Sequence, residues 1–107
     1  MKKTYKILFH PDAKNEFDNL DGGIRFKVLK QIKKLQEKPE LGESLGNKAG
    51  IDLTGYRKLY VDRKKIRIVY KIFEEKIIVY IISIAKRENL TVYEKAKKRL
   101  KNDMPND

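Results

Sequence analysis

Residues 56–85 read YRKLYVDRKKIRIVYKIFEEKIIVYIISIA, and this stretch decides the fold. Three runs rich in β-branched and aromatic residues, roughly Tyr56–Val61, Ile66–Phe73 and Ile77–Ala85, are separated by Asp62-Arg63-Lys64-Lys65 and Glu74-Glu75-Lys76. Connections that short suit antiparallel hairpins, so three consecutive strands are expected. The third run is almost wholly apolar, as expected for a strand buried in the middle of a sheet or against helices.

Upstream, Tyr5, Ile7 and Phe9 alternate with Lys6 and Leu8, the period of a first strand. Pro11 suits the first turn of a helix that carries Ala13, Phe17 and Leu20 on one face, and Asp21-Gly22-Gly23 breaks it. A longer helix follows, striped by Val28, Ile32 and Leu35, widened by Phe26 and Leu29 and closed by Pro39. The stripes of this helical hairpin need a sheet to cover them. Residues 39–55 hold Gly42, Gly46, Gly50 and Gly55 and little periodicity, so they read as a long loop with a short piece of helix or strand around Leu45. Downstream, Lys86 and Arg87 end the third strand, and a basic helix follows over about Thr91–Lys101, leaving 102–107 as a frayed tail. The expectation is an α+β fold of order βααβββα: an antiparallel sheet with a helical hairpin packed on one face and a C-terminal helix. One domain covers residues 1–107.

Composition narrows the chemistry. The chain has no cysteine and one histidine, His10, which leaves no thiolate nucleophile, no paired imidazoles and no ordinary histidine metal cluster. No apolar run reaches the length of a membrane span, and a cytoplasmic location is expected. The net charge of +11 is concentrated in residues 24–38, 56–73 and 86–101, three basic blocks on three separate elements. Such a field attracts polyanions, whether nucleic acid or an acidic protein.

Period two in the strand Tyr56–Val61 sets Leu59 and Val61 on one face and Tyr56, Lys58 and Tyr60 on the other. The next strand adds Arg67 to that face, the end of the third adds Arg87, and the first turn of the last helix adds Tyr93. No carboxylate falls among these positions, which argues against metal-assisted phosphoryl chemistry. Rings beside cations suit single-stranded RNA, where aromatics stack on bases and cations hold phosphates. Arg57, Arg63, Lys64, Lys65 and Lys86, together with Tyr56, extend the expected RNA-binding surface.

Three segments taken together carry a resemblance: Gly55-Tyr56-Arg57-Lys58-Leu59-Tyr60-Val61, Ile66-Arg67-Ile68-Val69-Tyr70, and Val79–Glu88 followed by Val92-Tyr93. The chain resembles the RelE/ParE superfamily of type II toxin–antitoxin toxins, most closely the RelE-like mRNA interferases, over nearly its whole length. The resemblance implies a ribosome-dependent endoribonuclease that cleaves mRNA in the A site by attack of a 2′-hydroxyl on the adjacent phosphate, inhibiting translation. It implies Lys58, Tyr60, Arg67, Arg87 and Tyr93 as catalytic positions, with no cofactor and no metal. Arg67 and Arg87 are the implied stabilisers of phosphate charge, Tyr93 stacks on or orients a codon base, and Lys58 positions phosphate or helps remove the 2′-hydroxyl proton. The implied partners are a cognate acidic antitoxin, the ribosome and mRNA, with operator DNA reached through the antitoxin. Relatives often carry a second lysine where Tyr60 stands. Because phenols are uncommon bases, a Tyr60 that stacks or fills space is the first expectation, and a phenol base activated by neighbouring cations is the alternative. The contrasting function is a ParE-like, non-catalytic toxin that inhibits DNA gyrase.

Overall fold

A computed structural model describes residues 4–48, 50–86 and 92–102. The first strand, β1 (Lys6–Phe9), leads into helix α1 (Pro11–Asp18). His10 caps α1 by accepting the Asp12 backbone N–H at Nδ1, 3.0 Å away, and Pro11 occupies a position whose missing N–H is no loss. Helix α2 (Gly22–Leu35) ends with Lys33 and Lys34, cations placed at the negative end of its dipole. After a 3-10 turn at Pro39–Leu41 come β2 (Glu43–Lys48), β3 (Ile51–Val61), β4 (Ile66–Phe73) and β5 (Ile78–Lys86), and α3 (Val92–Asn102) closes the described chain.

The five strands lie in the order β1-β5-β4-β3-β2. From β5 to β2 every pairing is antiparallel, whereas β1 joins β5 in parallel, Lys6 beside Ile78 and Phe9 beside Ile81. The expected α+β class and the three strands within 56–85 hold. The reading of 39–55 as a long loop does not: this segment supplies β2 and extends β3 back to Ile51. Its glycines hid the hairpin, because Gly46 and Gly50 turn at positive φ and a register shift between Ser44 and Gly46 breaks the alternation.

Both faces of the sheet are covered. Val28, Ile32 and Leu35 of α2 pack on Val61, Ile68, Tyr70, Val79 and Ile81 of the sheet, with Leu59 at the margin. Helix α3 packs against the opposite face, where Tyr93, Ala96 and Leu100 meet Leu53, Tyr56, Val69, Tyr80 and Ile82. Burial on both sides explains the continuous apolar reading of β5, buried from Ile78 to Ile84. A bulge between Val69/Ser83 and Tyr70/Ile81 flips the alternation near the end of β5.

Two polar devices fix elements that apolar packing alone leaves free to slide. Tyr70 is fully buried, yet its hydroxyl donates to Pro39 O at 2.6 Å and accepts from Gly42 N at 2.8 Å. A Cβ at Gly42 would come within 2.5 Å of Lys58 O, so only glycine fits where this turn meets β3. The second device lies at the edge of β5. Past Phe9 the strand has no β1 partner, and two of its backbone groups are taken by side chains: Arg99 donates to Ile82 O at 2.9 Å, and Ile84 N donates to Glu16 at 3.0 Å. Arg99 and Glu16 also pair with each other through two bonds of 2.9 Å, tying α3 to α1 across the strand. Hydrogen bonds to charged groups are worth about 1.5–3 kcal/mol. Arg99→Ala is therefore expected to lower unfolding stability by roughly 2–3 kcal/mol in denaturant titrations. Arg99→Lys should recover little of it, because a lysine lacks the fork that serves carboxylate and carbonyl together. An unchanged midpoint for Arg99→Ala would contradict the role of this clasp.

Candidate active site

Antiparallel pairing sets Tyr60 directly opposite Arg67 and Lys58 opposite Val69, so the three polar side chains share the face that α3 covers. The Lys58 ammonium donates to the Tyr60 hydroxyl at 3.1 Å and lies 4.9 Å from the centre of its ring. The Arg67 guanidinium lies 5.7 Å from the Tyr60 ring and 4.7 Å from the Tyr93 ring. A cation is thus held between two aromatic groups, one from a strand and one from the first turn of α3. From the turn between β3 and β4, Lys64 reaches to 5.9 Å from the same Tyr60 ring.

Burial gives this cluster its chemical character. Arg67 is 5% exposed and Tyr93 is 8% exposed, so neither behaves as an ordinary surface side chain. Yet Arg67 Nε and Nη1 have no hydrogen-bond partner. A buried donor on a cation that goes unsatisfied costs at least about 1–3 kcal/mol, and such groups in native proteins need an explanation. An oxyanion supplies the acceptors that these donors lack, and a phosphate matches the planar fork. Among the described residues there is no group of three histidine, cysteine, aspartate or glutamate side chains able to hold a metal ion.

Tyr60 differs from Tyr5, Tyr56 and Tyr70 in the direction of its shift. The hydrogen bond from Lys58 holds its phenol below the ordinary tyrosine range, with Arg67 adding to the effect and partial burial opposing it. Burial pushes Tyr56 and Tyr70 the other way. The tyrosine best placed to lose a proton is therefore the one ringed by cations.

The remaining expected site residues scatter. Tyr56 shares the face but is buried in the apolar cluster with α3, its ring 5.2 Å from the Lys71 ammonium, rather than lying open to a base. Arg57 pairs with Tyr70, on the opposite face, and donates to Gly42 O at 2.7 Å, so it braces the turn before β2. Asp62, Arg63 and Lys64 form a left-handed turn, with φ of 56°, 54° and 67°. Asp62 is held there by Lys27 at 2.9 Å. Lys65 and Lys86 line a shallow cavity with Ile24 and Ile66, on the side of α2 and away from Tyr60. The bulge in β5 sets Lys86 opposite Ile66. Arg87 lies outside the described residues. No carboxylate falls among the expected positions, but one approaches them from β2: Glu43 comes within 3.8 Å of the Lys58 ammonium. Its side chain is 76% exposed, so its attraction is weak. Sequence reasoning missed it because the strand that carries it was read as loop.

Tyrosine titration offers a direct check. Spectrophotometric or NMR titration should find Tyr60 losing its proton below the ordinary value of about 10, and Tyr56 and Tyr70 above it. The sign follows from the shifts: the lowered Tyr60 value adds stability above its unfolded pKa, and the benefit is lost as pH falls through the folded one. The raised Tyr56 and Tyr70 values act oppositely and weaken the fold in alkali. Lys58→Met should move Tyr60 back up, and a Tyr60 that titrates with the buried tyrosines would contradict the arrangement.

Residues 7–91 match the model of the ParE toxin of type II toxin–antitoxin systems. A RelE-like toxin protein of Escherichia coli is 27% identical over 100 residues, covering 91% of this chain and 98% of the relative. The mRNA interferase toxin RelE of the same species is 29% identical over 97 residues, again covering 91% and 98%. Among solved structures, a mutant of E. coli RelE in the free state superposes with a TM-score of 0.73 at 27% identity, covering 91% of this chain and 98% of its own. The same mutant bound to a peptide of the antitoxin RelB gives 0.65 at 26% identity, covering 87% and 94%. The chain belongs to the ParE toxin family, within the RelE/ParE superfamily.

Proposed function

From membership of this toxin family, we propose that the chain is a metal-independent endoribonuclease that cleaves mRNA in the ribosomal A site and so inhibits translation. The observation that carries the reading is the buried Arg67 guanidinium, stacked between Tyr60 and Tyr93 with two donors that nothing in the described chain accepts from. A phosphodiester entering beside Tyr60 meets the positive charge of that guanidinium at its non-bridging oxygens. The likeness to the mRNA interferase RelE supports the choice of RNA.

In the proposed reaction the 2′-hydroxyl of the nucleotide before the cut attacks the neighbouring phosphorus. Tyr60, as phenolate, takes the hydroxyl proton, and its hydrogen bond from Lys58 favours that state. Negative charge grows on the phosphoryl oxygens, where Arg67 and Lys58 hold it, with Arg87 proposed as a further stabiliser. The bond to the 5′ oxygen then breaks, that oxygen takes up a proton from water, and Tyr60 gives its proton back to water to recover the phenolate. The products are a 2′,3′-cyclic phosphate and a 5′-hydroxyl end. The ring of Tyr93 is engaged with Arg67, so its proposed part is to orient the guanidinium rather than to stack on a base. The cations around Tyr60 favour the phenol base over the space-filling tyrosine that the sequence first suggests.

The proposed partners are a cognate antitoxin with an acidic segment, the ribosome and its mRNA, with operator DNA bound through the antitoxin and the whole working in the cytoplasm. Net charge of +11 and the likeness to a RelE bound by a RelB peptide support the antitoxin. A second reading, non-catalytic inhibition of DNA gyrase, is favoured by one observation: the matching family model is that of ParE.

Cleavage of mRNA on programmed ribosomes tests the proposal. Arg67→Met keeps the stem between the two rings and should lose a hundredfold or more in cleavage rate, as removal of a transition-state charge stabiliser does. Its stability should match or exceed wild type, because buried donors without acceptors disappear. Tyr60→Phe should lose about a hundredfold or more while still binding ribosomes, as loss of a general base does. Wild-type cleavage by both variants would remove them from the reaction.

A further inference from the structure

We propose that the turn between β3 and β4 is a second phosphate site, where Arg63 and Lys64 hold the RNA backbone beside the reaction centre. Its catalytic consequence rests on the endoribonuclease reading above; the binding of RNA phosphate does not.

The backbone of this turn is strained. Asp62, Arg63 and Lys64 follow one another at φ of 56°, 54° and 67°. Residues other than glycine enter the left-handed region as isolated positions, because Cβ crowds the following carbonyl oxygen. Elsewhere this chain meets the same demand with glycine: Gly46 and Gly50 carry the positive φ values of the β2–β3 hairpin. Between β3 and β4 it places Asp-Arg-Lys-Lys instead. Strain of this kind gathers at functional sites, where the side chains matter more than a relaxed backbone.

Contacts on two sides hold the turn. Val61 pairs with Ile66 to close the hairpin, and the Lys65 N–H donates to Asp62 O at 3.0 Å. Lys27, from α2, donates to Asp62 Oδ1 at 2.9 Å. That ion pair has a second effect: it engages the turn's one carboxylate, whose side chain is only 13% exposed, with α2 rather than with its basic neighbours. Arg63 and Lys64 are exposed and pair with no carboxylate among the described residues. The Lys64 ammonium lies 5.9 Å from the Tyr60 ring, which Lys58 also approaches, at 4.9 Å. RNA with its scissile phosphate at Tyr60 and Arg67 therefore brings an adjoining phosphate to Lys64. A groove of cations that tracks the backbone beside aromatic rings is the usual means of holding a single strand. Closeness to Tyr60 favours RNA over an acidic peptide as the occupant.

The test is the binding of a single-stranded RNA oligonucleotide, made uncleavable by 2′-O-methyl groups, followed by fluorescence anisotropy across a salt series. Cleavage on programmed ribosomes is measured beside it. Arg63→Gln and Lys64→Gln should each weaken binding several-fold and lower the slope of log affinity against log salt by about 0.7, the counterion release of one phosphate on a single strand. Lys27→Met should weaken binding by a similar factor, because Asp62 is freed to compete for Arg63 and Lys64, and Lys27→Arg should restore it. Lys30→Met removes the same charge from an exposed position of α2 and should leave the slope at its wild-type value. Slopes lowered equally by Lys30→Met and Lys64→Gln would show a diffuse field and overturn the proposal. Wild-type binding by Lys64→Gln or Lys27→Met would overturn it too, as would a wild-type protein that does not bind this RNA. If the expected differences in binding appear while folded wild type leaves mRNA intact on ribosomes, the endoribonuclease reading fails and the phosphate site stands. If wild type cleaves and Lys64→Gln binds as wild type does, the site fails and the reaction stands.

Discussion

One strand of this fold outruns its neighbour, and much of the molecule depends on how the excess is closed. β1 accompanies β5 only as far as Ile81, leaving Ile82 O and Ile84 N at an unpaired edge next to the buried core. Unsatisfied backbone there would be costly, and no water-free alternative exists except side chains. Glu16 and Arg99 supply them as a forked ion pair whose members come from α1 and α3. The pair does more than satisfy the edge. It sets α3 along the sheet, and with α3 comes Tyr93, which closes over Arg67. Site geometry is thereby linked to a clasp on the far side of β5.

The cations of the site have one carboxylate nearby among the described residues, the solvent-exposed Glu43. Arg67 is buried against rings rather than carboxylates, and an aromatic face stabilises a guanidinium by about 0.5–2 kcal/mol without consuming its N–H groups. A carboxylate partner would have bound those groups and competed with phosphate. Lys58 follows the same logic: its near contact is the Tyr60 hydroxyl, while Glu43 stands farther off and open to solvent. Three cations around one phenol make Tyr60 unlike Tyr5, Tyr56 and Tyr70, each of which is held in its protonated form. An active site can store destabilisation in this way because the rest of the fold, with apolar layers on both faces of the sheet, carries it.

Much of this was legible in the sequence. Runs of β-branched and aromatic residues with short charged connections locate the strands of 56–85, and helical spacing locates α1 and α2, whose stripes follow from a single buried face. Alternation also predicted that Lys58, Tyr60 and Arg67 share a face. It failed wherever the backbone departs from regular geometry. The glycines and register shift of β2 disguised a hairpin as a loop and with it concealed Glu43. The bulge in β5 moved Lys86 to the side of α2, which counting by two does not reveal. Tyr56 illustrates a different limit: its face was read correctly, but strand periodicity says nothing of what covers a face, and here α3 does.

In the proposed reaction a phenol and a buried guanidinium carry out metal-independent transesterification of RNA. The most direct measurement is the chemistry of the new mRNA ends on programmed ribosomes, in the presence of a metal chelator at levels that leave ribosomes intact, followed as a function of pH. The expected result is cuts at the A-site codon that leave 2′,3′-cyclic phosphate and 5′-hydroxyl ends, with a rate that rises to a plateau at an apparent pKa below the free-tyrosine value of about 10. Intact mRNA at every pH, together with inhibition of purified DNA gyrase by the same protein, would contradict it.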